Sequence, residues 1–216
     1  MFLDRARTVF RAPVASPVPG ARLSDPGGFV SGTLVATPGG WRPVEALAVG
    51  DALLTFDGGA QTLTSVGRSL LWTPIEQCPP ELWPIVVPAG AVGNRCRMRA
   101  LPGTRFLVES DLAEQITGDP FCVIPAASLI DAGIATQEPP TSFVEIMTLT
   151  FDSEQLVYSD GGALIMSGSA MPGEPLDVDG LLQDPVGRAY SKLDTETEAQ
   201  IARDAIDLSR IGLTAA

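Results

Sequence analysis

GFVSGTLVATPGGWRPVEALAVGDALLTFD, residues 28–57, decides the fold, because every residue of this run can be read as part of one local construction. Thr33-Leu34-Val35-Ala36-Thr37 predicts a short strand and Pro38-Gly39-Gly40 its turn, while Ala52–Phe56 predicts a second strand closed by Asp57-Gly58-Gly59. Between them, Val44, Leu47 and Val49 supply apolar side chains and Gly50 a residue that tolerates positive φ. The prediction is a compact β-arch with a buried rim.

These residues, in this order, resemble the opening of the Hedgehog/intein (Hint) domain, and in particular its bacterial branch. That opening runs Phe-x-x-Gly-Thr-x-x-x-Thr, then Gly, Pro-Val-Glu-x-Leu-x-x-Gly-Asp and Leu-x-Thr-x-Asp-x-Gly. The matching positions are Phe29, Gly32, Thr33, Thr37, Gly40, Pro43, Val44, Glu45, Leu47, Gly50, Asp51, Leu53 or Leu54, Thr55, Asp57 and Gly59. The resemblance implies a mainly β fold, a horseshoe of strands with pseudo-two-fold halves, carrying short helices and built for self-processing. It also implies a Cys or Ser immediately before Phe29, since a nucleophile must attack the preceding carbonyl. Gly28 stands there and has no side chain to attack with.

The resemblance continues to about residue 166. Val66-Gly67-Arg68 matches an Ile-Gly-Arg strand end, and Ala100–Val108 matches the run that carries Leu-Ser-Pro-x-His in processing members. Thr104 occupies the position of that histidine, and a hydroxyl does not titrate near neutral pH. Phe151, Asp152, Val157, Tyr158 and Gly161 match the pattern around a second histidine, whose place is taken by Glu154. The chain contains no histidine. The expectation is therefore a Hint-like domain that has lost autoprocessing, with no catalytic residue at Gly28, Thr104 or Glu154, no cofactor and no metal, serving as a protein-binding or structural module. The alternatives are residual self-cleavage or splicing, and an aspartate-based hydrolase. If only side chains have been lost, Gly28→Cys with Thr104→His and Glu154→His restores some thioester formation.

Composition agrees with a globular β protein: 45% hydrophobic and 19% charged residues, with 22 Gly and 19 Pro to punctuate short strands. A net charge of −12 argues against nucleic acid, whose phosphates need clustered Lys and Arg. No apolar run approaches a membrane span, and the early charges Asp4, Arg5 and Arg7 argue against a secretory signal. A cytoplasmic location is the expectation, with secretion by another route left open. Three widely spaced cysteines, Cys78, Cys96 and Cys122, read as small buried hydrophobes rather than a disulfide framework or zinc site.

In chain order, residues 1–27 read as a proline-punctuated N-terminal arm in which residues 8–15 alternate enough for an edge strand. Residues 28–166 form the Hint-like domain. Ser110 predicts the cap of a short helix ended by Gly118, Phe121–Pro125 a strand, and Ala126–Ile130 another helix. Residues 167–192 read as a linker. Residues 193–213 predict a C-terminal helix with a Thr195/Glu198 capping box and Ile201, Ala205 and Leu208 on one face, docked on the β-core or offered to a partner.

Two Asp-Gly-Gly turns, at Asp57 and Asp160, invite comparison with a catalytic carboxylate dyad. Neither Asp is followed by the hydroxyl residue that holds such a carboxylate, so hairpin turns are the expectation. Asp51, Asp57 and Asp152 read as turn caps in preference to cation ligands, and Ser31 as a strand-entry residue in preference to a displaced nucleophile.

Overall fold

The structure is a computed structural model that describes residues 27–169 and 193–212. The predicted arm, apart from Gly27, and all but the first residues of the predicted linker lie outside them. Strands run in the order β1 (Phe29–Val30), β2 (Leu34–Thr37), β3 (Gly40–Pro43), β4 (Ala52–Thr55), β5 (Gly59–Thr62), β6 (Ser65–Leu70), β7 (Ile85–Val87), β8 (Met98–Ala100), β9 (Arg105–Glu109), β10 (Phe121–Pro125), β11 (Thr136–Gln137), β12 (Glu145–Phe151), β13 (Gln155–Ser159) and β14 (Ala163–Ser169). Helices α1 (Asp111–Thr117), α2 (Ala126–Asp131) and α3 (Thr195–Gly212) complete the described elements, with single turns of 3-10 helix between strands. The fold is mainly β, as expected.

The strands form one branched sheet with the path β11-β7-β8-β1-β12-β14-β13-β2-β3. On it, β6 pairs with β12, the β4–β5 hairpin joins β13, and the β9–β10 hairpin joins β14. The opening arch forms from local chemistry. Thr37 Oγ1 donates to the carbonyl of Gly40 (2.7 Å) and accepts from the Gly39 N–H, so the chain turns at Pro38-Gly39 and Gly40 already begins β3. Pro43 sits in that strand because β3 pairs on one side only. Val44, Leu47 and Leu53 are buried beneath the arch, and the Asp57 turn is held by Thr55 Oγ1, which donates to the carbonyl of Gly59.

Strand β5 ends at Thr62 and β6 begins at Ser65. The N–H of Leu63 bonds the carbonyl of Asp51, and the next N–H, of Thr64, bonds that of Thr150. The chain thus exchanges β4 for β12 within two residues, and buried Leu63 anchors the corner. β14 is central, touching β9, β12 and β13, and its buried Ala163, Ile165 and Ser167 alternate with less buried neighbours.

The main core gathers Phe29, Phe106, Met147, Phe151 and Ile165 from the sheet with Ile201 and Ala202 from α3. Ser110 caps α1 as predicted, accepting from the N–H of Ala113, and Gly118 ends it at φ +81°. α3 is capped differently from expectation. Asp194, one residue before Thr195, accepts from both the N–H and the hydroxyl of Thr197. Cys78 and Cys122 are buried, but Cys96 is exposed, so the small-hydrophobe reading holds for two cysteines and fails for the third. No helix among the described residues is long and apolar enough to cross a membrane.

Candidate functional site

Gly28, Thr104 and Glu154, drawn from three distant parts of the sequence, line one cleft of about 430 Å³. Gly28 enters it just before β1, Thr104 stands at the foot of β9, and Glu154 comes from the turn between β12 and β13. Thr148, Arg105 and Ser167 share the lining, and the sequence reading did not single them out. Their signal was present only as strand alternation: Thr148 projects from β12 to the face opposite buried Met147 and Leu149.

Thr104 is a committed hydrogen-bonding group. Its hydroxyl donates to the carbonyl of Gly28 (2.9 Å) and accepts from the N–H of Leu101 (3.1 Å), at 2% exposure. The Leu101–Thr104 turn is closed further by the Thr104 N–H on the Leu101 carbonyl. This side chain therefore does what turn chemistry predicts, and in addition ties β9 to the entry of β1.

At Gly28 the backbone is at φ +130°, and a Cβ placed there would lie 3.0 Å from the Met147 carbonyl oxygen and 3.1 Å from Ile146 Cγ2. A side chain at this position meets both a backbone that L-residues rarely adopt and fixed neighbours. Restoration by adding back three side chains, the sequence expectation, therefore meets a steric obstacle at its first step.

The arch beside the cleft is held by carboxylates. Glu45 accepts from the N–H of Gly32 (2.9 Å), which with the Ser31 hydroxyl and nearby Arg68 holds its carboxyl below the ordinary range against a desolvation effect. Asp51 accepts from the N–H of Ala48 and pairs with Arg42 at 3.2 Å, so its role is a turn cap. Ser31 lies in the same turn, with its N–H on the carbonyl of Glu145.

Asp57 and Asp160 are not brought together. Gly58 lies against Gln155 at the start of β13, whereas Asp160 follows its end and accepts from the N–H of Leu34 through Oδ1 (3.1 Å). The length of β13 separates them, roughly 15 Å at the rise of a strand. Asp160 adopts φ +42°, which its short polar side chain tolerates, and burial pushes its carboxyl up while the Leu34 bond opposes this. A second, larger concavity of about 550 Å³ lies toward the other end of β9 and β14, walled by Phe56, Val92, Leu107 and Leu164.

The profile of the Hint domain family matches residues 27–173, more than half of the chain. No curated protein matches. Solved structures that are similar include a bacterial intein-like domain from Clostridium thermocellum, at 15% identity and TM-score 0.43, covering 65% of this chain and 98% of that one. The gp41-1 intein is similar at 13% identity and TM-score 0.41, covering 66% and 99%. The MchDnaB-1 intein is similar at 15% identity and TM-score 0.40, covering 63% and 98%. The chain belongs to the Hint domain family.

Proposed function

We propose that this Hint domain has lost self-processing and works as a protein-binding or structural module. The observation that carries the reading is Gly28, which offers no nucleophile and whose φ of +130°, with Met147 O and Ile146 Cγ2 close to any Cβ, disfavours a side chain there. Two further features support it. Thr104 spends its hydroxyl on the Gly28 carbonyl, and a chain without histidine has no side chain that ordinarily exchanges protons near pH 7. Acyl transfer at the Gly27–Gly28 bond needs an attacking atom and a proton carrier, and position 28 carries no side chain while positions 104 and 154 carry no imidazole.

The test is intact-mass spectrometry of the purified chain after prolonged incubation with dithiothreitol, which would release a fragment from a thioester, or hydroxylamine, which would release one from a thioester or an ester. A single species of full mass is expected. A fragment ending at Gly27 would overturn the reading in favour of residual self-cleavage.

A further inference from the structure

Strand alternation gives β9 two apolar faces. Phe106 and Val108 turn into the main core, while Leu107 joins Val123 and Leu156 on the opposite face, under half-buried Phe56, Phe121, Leu164 and Met166. This second apolar layer ends at the hollow of about 550 Å³, whose walls include Phe56, Leu107, Phe121 and Leu164, with Val92 and Ala205. Gly93 and Gly162 also line it and cross so closely that a Cβ on Gly162 would run into the Gly93 carbonyl oxygen, so this part of the wall is bare backbone. Helix α3, which supplies Ala205, lies beyond the family match, so the hollow is completed by an element outside the matched domain. Its volume falls within the range of small-molecule sites, about 300–1,000 Å³.

We infer that this hollow binds a small organic cation, an ammonium group carried on an aromatic or branched apolar body. Among the described residues that line it, the only polar side chains are Glu109 and Asp111, both exposed carboxylates. Glu109 stands opposite Phe121 in the β9–β10 ladder, so its carboxylate and the ring share one face of the sheet. Phe56 meets that ring edge-on at 5.7 Å, which extends the apolar wall beside the charge. The ion pairs among the described residues are Arg42–Asp51 and Arg97–Glu138, so neither rim carboxylate is matched by one of their cations. An apolar body displaces water from Leu107, Leu164 and Val92, while an ammonium head stays at the rim beside the carboxylates. A carboxylate on the same body is repelled by both rim groups, and a neutral body gains the apolar contact alone. The net charge of −12 draws cations to the surface in the same sense. The hollow shares no lining residue with the Gly28 cleft, so the inference stands apart from the loss of self-processing.

Proton–nitrogen correlation NMR of the full chain tests this by titration with phenethylamine, phenethyl alcohol and hydrocinnamate, which share one apolar body, at matched pH and ionic strength. Saturable shifts are expected at Val92, Gly93, Leu107, Glu109 and Leu164. Phenethylamine should bind roughly fivefold more tightly than phenethyl alcohol, the size that two exposed charge contacts give, and hydrocinnamate should bind most weakly. The double variant Glu109→Gln with Asp111→Asn changes only exposed side chains, so the fold is retained. It should bring the amine to the affinity of the alcohol while leaving the alcohol where it was. Absence of saturable shifts with the amine, or shifts centred on Gly28 and Thr104 instead, would overturn the inference. Equal affinity for amine and carboxylate, or a preference for the amine that the double variant retains, would overturn it equally.

Discussion

Gly28 stands at φ +130°, with Met147 O and Ile146 Cγ2 at contact distance from any Cβ built on it. Gly28→Cys should therefore destabilise the fold by about 1–3 kcal/mol, the usual cost of a side chain in a conformation reserved for glycine. Urea denaturation followed by tryptophan fluorescence measures it. The triple variant with Thr104→His and Glu154→His should remain uncleaved, because imidazole at 104 must also displace a side chain 2% exposed that bridges Leu101 and Gly28. Thioester formation by a folded triple variant, trapped with hydroxylamine, would refute this. The site was legible in part. Aligned motifs named Gly28, Thr104 and Glu154, and they do share a cleft. The positive φ was not legible, since it comes from the docking of β1 against β12 rather than from its own dipeptide.

Among the elements, those announced by local signals were legible and those made by tertiary pairing were not. Ser110 and Gly118 bracket α1 through chemistry carried within nine residues. By contrast β8 has no turn pair of its own to announce it and exists through its partners β7 and β1. The C-terminal helix was legible, its seat less so. Asp204 accepts from the Ser110 hydroxyl (2.6 Å) and the Leu112 N–H (3.1 Å), adding a carboxylate to the Ser110 cap of α1. Glu198 accepts from the Ser128 hydroxyl (3.1 Å), and Arg203 donates to the last carbonyl of α2, that of Asp131. The two carboxylates have opposite pH signatures. The Ser110 and Leu112 bonds lower the Asp204 pKa, so its contribution is complete above the ordinary Asp range and is lost as pH falls through the folded value. Burial raises the Glu198 pKa despite its Ser128 bond, so its contribution is complete below the ordinary Glu range and is lost as pH rises through the folded value. At pH 7, Asp204→Asn should lower the melting temperature, while Glu198→Gln, which keeps an acceptor for Ser128 without the buried charge, should leave it unchanged or raise it. Melting curves at pH 7 and pH 4 decide this, and the gap between the variants should narrow at the lower pH. A gap independent of pH would refute the assignment.

For the molecule as a whole, the question is whether α3 is an appendage or part of the folding unit. The family match ends at residue 173, and the sequence alone reads a linker followed by a helix either docked on the β-core or offered to a partner. Packing supports docking. Ile201 is 0% and Ala202 1% exposed, in the same cluster as Phe29, Phe106 and Phe151 of the sheet. Beside them Cys122 on β10 is buried, and desolvation, with the nearby charges of Glu198 and Asp119, pushes its thiol up to about 11. Removing three carbons at Ile201 should then cost about 2–4 kcal/mol, the range for a fully buried aliphatic truncated to alanine. The loss should be global. Trp41, Trp72 and Trp83 lie in other parts of the sheet and its loops, so their fluorescence reports the main body, while thiol labelling of Cys122 in a Cys78→Ser, Cys96→Ser background reports the α3 seat. If α3 belongs to the cooperative unit, Ile201→Ala shifts the urea midpoint of both probes together, with an unchanged slope. If α3 docks as an independent element, Cys122 labelling accelerates in the absence of urea and the tryptophan transition stays where it was. The coincident shift is the expected outcome, because α3 packs against α1, α2 and β10 and Ile201 is buried in the same cluster as Phe29, Phe106 and Phe151 of the sheet.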